Sequence, residues 1–259
     1  MLARLLDDLM AQGRSCFSFE ELLQISSSSA PALKAALYRL HKRAVIAMPH
    51  RGFYAIVPPE HRSKGCLPPQ EFIPDLMAHL GEVYYAGLLT AAEYHGAAHH
   101  RPQMFQVVVA KVRRPILCGV IRVQFMYRKN AALIPTEPRN TPSGTLQIST
   151  AEATALDLVG YAEQCAGLNN VATILAELGE ILKVDRLFNI AALSPTSWLQ
   201  RLGYLLNIVG ELEKADLIAG YIQEKNAAPT PLAPKASIQG SKLDRRWQVF
   251  VNTDVESDL

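Results

Sequence analysis

The sequence has little of what staples small or metal-dependent proteins together. Its four cysteines stand far apart at 16, 66, 118 and 165, with no CxxC and no cysteine–histidine cluster at zinc spacing, which excludes a disulfide scaffold and a zinc finger. Nowhere does the chain run through the roughly 18 consecutive apolar residues that a membrane helix needs. Arg4, Asp7 and Asp8 fall where a signal peptide would have its apolar core. These absences predict a cytoplasmic protein with reduced thiols and no membrane attachment. Signatures of nucleotide and acyl chemistry are also missing: there is no P-loop, no GxGxxG and no GxSxG.

What is present is the composition of a folded chain, 259 residues with 49% apolar and 19% charged, a length that suggests about two domains. Residues 2–11 place apolar side chains at 2, 5, 6, 9 and 10 ahead of Gly13, which predicts a helix. Ser18 and Glu21 have capping-box spacing, flanked by Phe17 and Leu22 as a hydrophobic staple, so a short second helix starts there. A serine run over 26–29, Pro31 in a permitted first-turn position and the stripe Leu33, Leu37 and Leu40 predict a third helix over 30–43. Residues 45–48 and 53–57 read as strands joined by a turn at Pro49-His50-Arg51-Gly52. Three helices and a hairpin describe a winged helix-turn-helix over residues 1–64, and the proline-rich stretch 58–69 reads as the linker that follows.

The fold class expected is therefore α+β, with the winged helix-turn-helix followed by a larger α+β domain over 65–225. Residues 72–96 are mostly helix-forming, with a brief extension at Val83-Tyr84-Tyr85. Strands are expected over 105–112, 116–127 and 146–148, and the last runs into a helix capped by Ser149 and Glu152. Helices are expected over about 151–163, 170–182 and 196–209, with another to about 225. Residues 226–242 read as a flexible link before a short strand at 247–251, so 226–259 forms a linker and tail.

Charge is concentrated rather than abundant. The whole chain carries only +2, yet residues 30–64 hold seven Lys or Arg against one acid, Glu60, a local balance of +6. A basic helix followed by a basic turn is the electrostatic footprint of a module that lies against phosphates. The candidate DNA contacts are Ser28 and Ser29 to phosphate at the helix start, Lys34, Tyr38 and Arg39 on its outward face, and Lys42 and Arg43 along the backbone. His50 and Arg51 are placed at the hairpin tip, against the adjacent minor groove. A second basic stretch over 97–136 contains Arg101, Lys111, Arg113, Arg114, Arg122, Arg128 and Lys129 and no acid. It reads either as charge protecting a sheet edge or as a second surface for nucleic acid or a partner.

Catalytic patterns fall short. His95 and His99 have i,i+4 spacing, but Gly96 stands where a zincin needs glutamate, so a capping, packing or partner role is expected of them rather than metal binding. Asp7 and Asp8 lack the Gly-Ser turn of a nucleotidyltransferase, Asp254, Glu256 and Asp258 sit in the tail, and Asp157 and Glu163 read as surface or capping charges. No catalytic residue, metal or cofactor is expected.

Several runs carry a family resemblance: YYAGLLTAAEYHGAAH at 84–99, FQVV at 105–108, ISTAEATALDLV at 148–159 and GLNNVAT at 167–173. Joined to a winged helix-turn-helix, they resemble the AbiEi antitoxins of type IV toxin–antitoxin (abortive infection, phage defence) systems, over about 1–225. The resemblance implies a transcriptional repressor that binds double-stranded DNA at its own promoter. It also implies a non-enzymatic antitoxin that counters a nucleotidyltransferase-like toxin without a stable complex, repressing through the N-terminal domain, with a second domain that is needed for antitoxin action and assists repression; the proline-rich linker predicts that the two tasks separate by domain. An effector-responsive repressor without a toxin, and a cryptic nucleotidyl- or phosphoryl-transferase, are the alternatives. Ala44 stands where winged helices often place a helix-ending glycine, so the approach to the wing is expected to turn less sharply.

Overall fold

In the computed structural model, which describes residues 2–97 and 102–256, the N-terminal elements follow the apolar spacing closely. Helix α1 (Leu2–Ala11) buries Leu6 and Leu9. Strand β1 (Cys16–Ser18) leads into α2 (Phe19–Ile25), whose first turn is capped by Ser18 Oγ accepting the Glu21 N–H at 3.0 Å. Phe17 and Leu22 meet in the same core, as the staple requires. Helix α3 (Ala30–Lys42) and the hairpin β2 (Ile46–His50) and β3 (Phe53–Ile56) complete the segment. The hairpin turn is the pair Arg51-Gly52, with Gly52 at φ 79°, and Pro49 coincides with an irregularity between Ala47 and His50, where a residue without an N–H interrupts the ladder.

The three short strands form one antiparallel sheet in the order β1-β3-β2, and it is buried on both faces. Strand side chains alternate, so Phe17, Ile46 and Ile56 join Leu6, Leu9, Leu22, Leu33 and Leu37. Cys16, Ala47, Phe53, Ala55 and Val57 point the other way and join Leu67, Phe72, Ile73, Leu76 and Met77, together with Val107, Val109, Ile116 and Val123. That second core overturns the linker expected over 58–69 and the boundary expected at residue 64. Pro59–Lys64 forms a 3-10 turn ended by Gly65, and Cys66, Leu67 and Pro69 behind it are buried. Proline there starts helices and fixes extended backbone rather than loosening the chain.

Two compact units result. The first comprises Met1–Ala86, Gln103–Ala132 and Pro138–Gln147. Beyond the hairpin it contains α4 (Pro69–His79), β4 (Tyr84–Ala86), β5 (Phe105–Val109), β6 (Ile116–Cys118) and β7 (Ile121–Tyr127). With β8 (Thr136–Thr141) and β9 (Gly144–Ser149) these strands make a six-stranded sheet ordered β6-β7-β5-β4-β9-β8, in which β5 and β7 run parallel from Phe105 opposite Val123 to Val109 opposite Tyr127. The extension expected within 72–96 is β4. The single strand expected over 116–127 is broken at Gly119, and β8, with Pro138 inside an exposed edge, was not expected.

The second unit comprises Gly87–Pro102, Leu133–Glu137 and Ile148–Leu259. It holds α5 (Leu88–Tyr94), α6 (Ala151–Gly160), α7 (Gly167–Gly179), α8 (Val184–Ala191), α9 (Thr196–Ile208) and α10 (Leu212–Glu224). Helix α6 is buried along nearly its whole length. Its cap is Thr150, which accepts the Ala153 N–H at 3.4 Å, rather than Ser149, whose hydroxyl is 2.7 Å from that of Thr154. Glu152 reaches past the helix to accept the Lys183 N–H at 3.1 Å.

The link expected at 226–242 is instead held down. β10 (Thr230–Pro231), β11 (Lys242–Asp244) and β12 (Val249–Val251) form a small sheet ordered β10-β12-β11. Gln200 of α9 donates to the carbonyls of Ala228 and Gln248, and the Arg201 guanidinium donates to Pro231 O at 2.9 Å. Trp247 fills the space left by Gly203, where a Cβ would collide with its ring.

Candidate nucleic-acid interface

Helix α3 is held by one face, which decides what the other can present. Leu33 and Leu37 are buried and Leu40 is half-buried against α1, α2 and the hairpin. Lys34, Tyr38, Arg39, Lys42 and Arg43 are all exposed, Tyr38 at 61%, a large ring to leave in water without a partner surface. Two of the lysines are steadied over aromatic rings: Lys34 Nζ lies 5.5 Å from the Phe19 ring centre and Lys42 Nζ 5.5 Å from that of Tyr38. At the other end Ser29 is the N-cap residue but makes no side-chain capping bond. Ser28, half-buried, lines a hollow with Ser26, Ser27 and Arg4 of α1. Arg4 is a cation that sequence order hides, because only the packing of α1 brings it to the serine run.

The path from α3 into the hairpin turns sharply, contrary to the expectation drawn from Ala44. Ala44 adopts φ 54°, its N–H donates to His41 O at 3.0 Å, and Val45 N–H donates to Leu40 O at 3.1 Å. These two bonds are those of a Schellman turn, accepted by an alanine in place of glycine. His41 Nδ1, 3.2 Å from Ile46 O, ties the helix end to β2. At the tip Arg51 is exposed and His50 is half-buried, with its Nδ1 3.1 Å from Arg51 O. Behind the face, Arg14 Nη1 and Glu21 Oε1 lie 2.6 Å apart. The Arg14 hydrogen bond holds the Glu21 carboxyl below its ordinary value and raises the guanidinium in turn.

The second basic stretch is not one open surface. Glu82, distant in sequence, accepts from Arg113 Nε at 2.7 Å and lies 3.1 Å from Lys111 Nζ, and the Arg113 bond with Lys111 behind it holds that carboxyl below the usual range against the effect of burial. Arg128 is only 5% exposed, with Nε donating to Asn130 Oδ1. Arg122 is exposed but folds back on the carbonyls of Gly119 and Ile121. Arg114 and Lys129 are exposed, and Arg101 lies outside the described residues.

The family model of the AbiEi antitoxin C-terminal domain matches residues 85–208, from β4 to the end of α9. Over this stretch the chain is similar to an AbiEi antitoxin domain. This supports the role of antitoxin in a toxin–antitoxin system. No curated protein matches the chain. Among solved structures, that of the RV2827C protein from Mycobacterium tuberculosis is similar with a TM-score of 0.68 at 18% identity, covering 95% of this chain and 89% of that one, which is a likeness of fold.

Within the matched stretch His95 is occupied structurally: Nε2 lies 2.8 Å from Ser149 O and Nδ1 3.7 Å from Glu137 Oε1. His99, its expected i,i+4 companion, lies outside the described residues. Asp157, expected as a surface or capping charge, is fully buried on α6, whereas Glu163 is exposed and pairs with Lys235 at 2.5 Å. Among the described residues no three of His, Cys, Asp and Glu gather at metal-binding distance, and no helix is long and apolar enough to cross a membrane. A pocket of 860 Å³ opens between the start of α7 and residues 232–236, lined by Tyr161, Asn169, Lys235 and Asp254.

Proposed function

We propose that helices α1–α3 and strands β1–β3 act as a winged helix-turn-helix that binds double-stranded DNA at the chain's own promoter and represses its operon, as part of the larger first unit rather than as a separate domain. The carrying observation is the exposed face of α3, where Lys34, Tyr38, Arg39, Lys42 and Arg43 stand clear of the buried Leu33 and Leu37, with Arg51 also exposed at the hairpin tip. A helix offers a major groove its outward side chains, while a cationic hairpin tip suits the neighbouring minor groove. Ser28 and Ser29 would meet phosphate at the start of α3, with Arg4, which shares a hollow with Ser28, adding charge.

The likeness to an AbiEi domain supports the second half of the reading: the chain counters a nucleotidyltransferase-like toxin in the cytoplasm, without catalysis of its own and without a lasting complex. The experiment is a titration of the upstream DNA fragment with the full chain over a salt series, beside an unrelated fragment, with growth rescue measured against the toxin encoded alongside it. Specific, salt-dependent binding together with rescue is expected. Equal affinity for both fragments contradicts the operator assignment, and absence of rescue contradicts the antitoxin assignment. The pocket at Tyr161 and Lys235 favours a second reading, a repressor released by a small effector, which predicts promoter release by a cell extract stripped of macromolecules.

A further inference from the structure

Cys16, Cys66 and Cys118 share one apolar core although 102 residue positions separate the first from the last. Backbone packing brings two of them side by side. Gly65, left-handed at φ 74°, ends the 3-10 turn Pro59–Lys64, and Gly119, at φ 59°, turns β6 into β7. A methyl group on Gly119 would collide with the Lys64 carbonyl and lie 2.8 Å from Gly65 Cα, so the two segments touch through glycine on both sides. The Val120 N–H donating to Lys64 O at 2.9 Å fixes this approach. Cys66 directly follows Gly65 and Cys118 directly precedes Gly119, and the two thiols lie within hydrogen-bond reach of each other.

The pair is chemically unequal. The contact with Cys66 and a hydrogen bond from the Met48 backbone N–H of β2 draw the Cys118 thiol below the ordinary value; the contact with Cys118 and burial push Cys66 up. Cys118 is 8% exposed and Cys66 wholly buried. The other two cysteines lack these features: burial and the neighbouring Asp75 carboxyl keep Cys16 a thiol, and burial does the same for Cys165 in the second unit.

We propose that Cys66 and Cys118 form a reversible oxidation site, a dithiol that a peroxide converts into an intramolecular disulfide. The Cys118 thiolate attacks one peroxide oxygen, the O–O bond breaks, and the departing hydroxide takes up a proton as water. Cys118 is left as a sulfenic acid. Cys66 loses its proton, its sulfur attacks the Cys118 sulfur, and the S–O bond breaks to release a second water. One peroxide is thereby reduced by the two electrons of two thiols. In a reducing compartment such a bond is transient, the form in which disulfides serve as sensors. The site adjoins β2, the arm leading to the hairpin tip. Any effect on DNA binding rests on the proposed function, but the chemistry does not.

The test is peptide mapping of the reduced full chain after hydrogen peroxide, with remaining thiols alkylated under denaturing conditions. The expected product is a Cys66–Cys118 linked peptide lighter by two hydrogens, restored by dithiothreitol, with Cys16 and Cys165 alkylated. Cys66→Ala should leave a sulfenic acid on Cys118 that dimedone traps. A link to Cys16, irreversible overoxidation of Cys118 in the parent, or no thiol loss in the folded chain under conditions that oxidise the denatured one would each overturn the proposal.

Discussion

Ala44 bears the left-handed turn between α3 and the hairpin at φ 54°, a conformation that costs an L-residue with a Cβ about 1–2 kcal/mol, while glycine gives back part of that saving as unfolded-state entropy. Ala44→Gly is therefore expected to stabilise the chain by about 0.5–1 kcal/mol in denaturant unfolding; a loss of stability would mean the alanine methyl is needed there. Glu82 makes a second residue-scale prediction. Its carboxyl is held below the ordinary value by Arg113 and Lys111, so its stabilising contribution is complete at neutral pH and is lost as pH falls from the ordinary carboxylate value through the lowered one. Glu82→Gln should cost roughly 1–2 kcal/mol at pH 7 and flatten that acid limb, as measured by unfolding at several pH values. An unchanged acid limb would show that the ion pairs contribute nothing in solution.

At the scale of elements, the hairpin separates packing from the proposed DNA contact. Its strands are clamped by alternating burial, whereas Arg51 at the tip is exposed beside Gly52. Arg51→Ala should weaken promoter binding and reduce the salt slope by about one unit without moving the melting temperature. Unchanged affinity would leave the hairpin as structure only. Elements with a strong local signal were legible in the sequence: α1 by its apolar stripe, α2 by its capping box, and α3 by Pro31 and the leucine spacing. The missed ones lacked such signals. β8 alternates between exposed and half-buried residues around a proline, so nothing apolar marks it, and α8 has only eight residues. The outward residues of α3 followed from its inward stripe. Arg4 and Glu82 could not be read, because their neighbours come from other parts of the chain.

At the scale of the molecule, the division expected at residue 64 fails because the small sheet buries both faces, and one of them against residues 67–123. A fragment of residues 1–64 would leave Ala47, Phe53, Ala55 and Val57 uncovered, so it is expected to lack a cooperative thermal transition and to bind hydrophobic dyes. A monomeric fragment that melts cooperatively would restore the expected boundary. For the same reason, DNA binding is to be measured on the whole chain. The central claim, that the outer face of α3 engages promoter phosphates and bases, is tested most directly by Lys34→Ala with Arg39→Ala in the full chain, titrated against the promoter fragment from low to high salt. The account predicts weaker binding and a log–log salt slope smaller by about two units, at an unchanged melting temperature; binding as tight as the parent's at every salt concentration would contradict it.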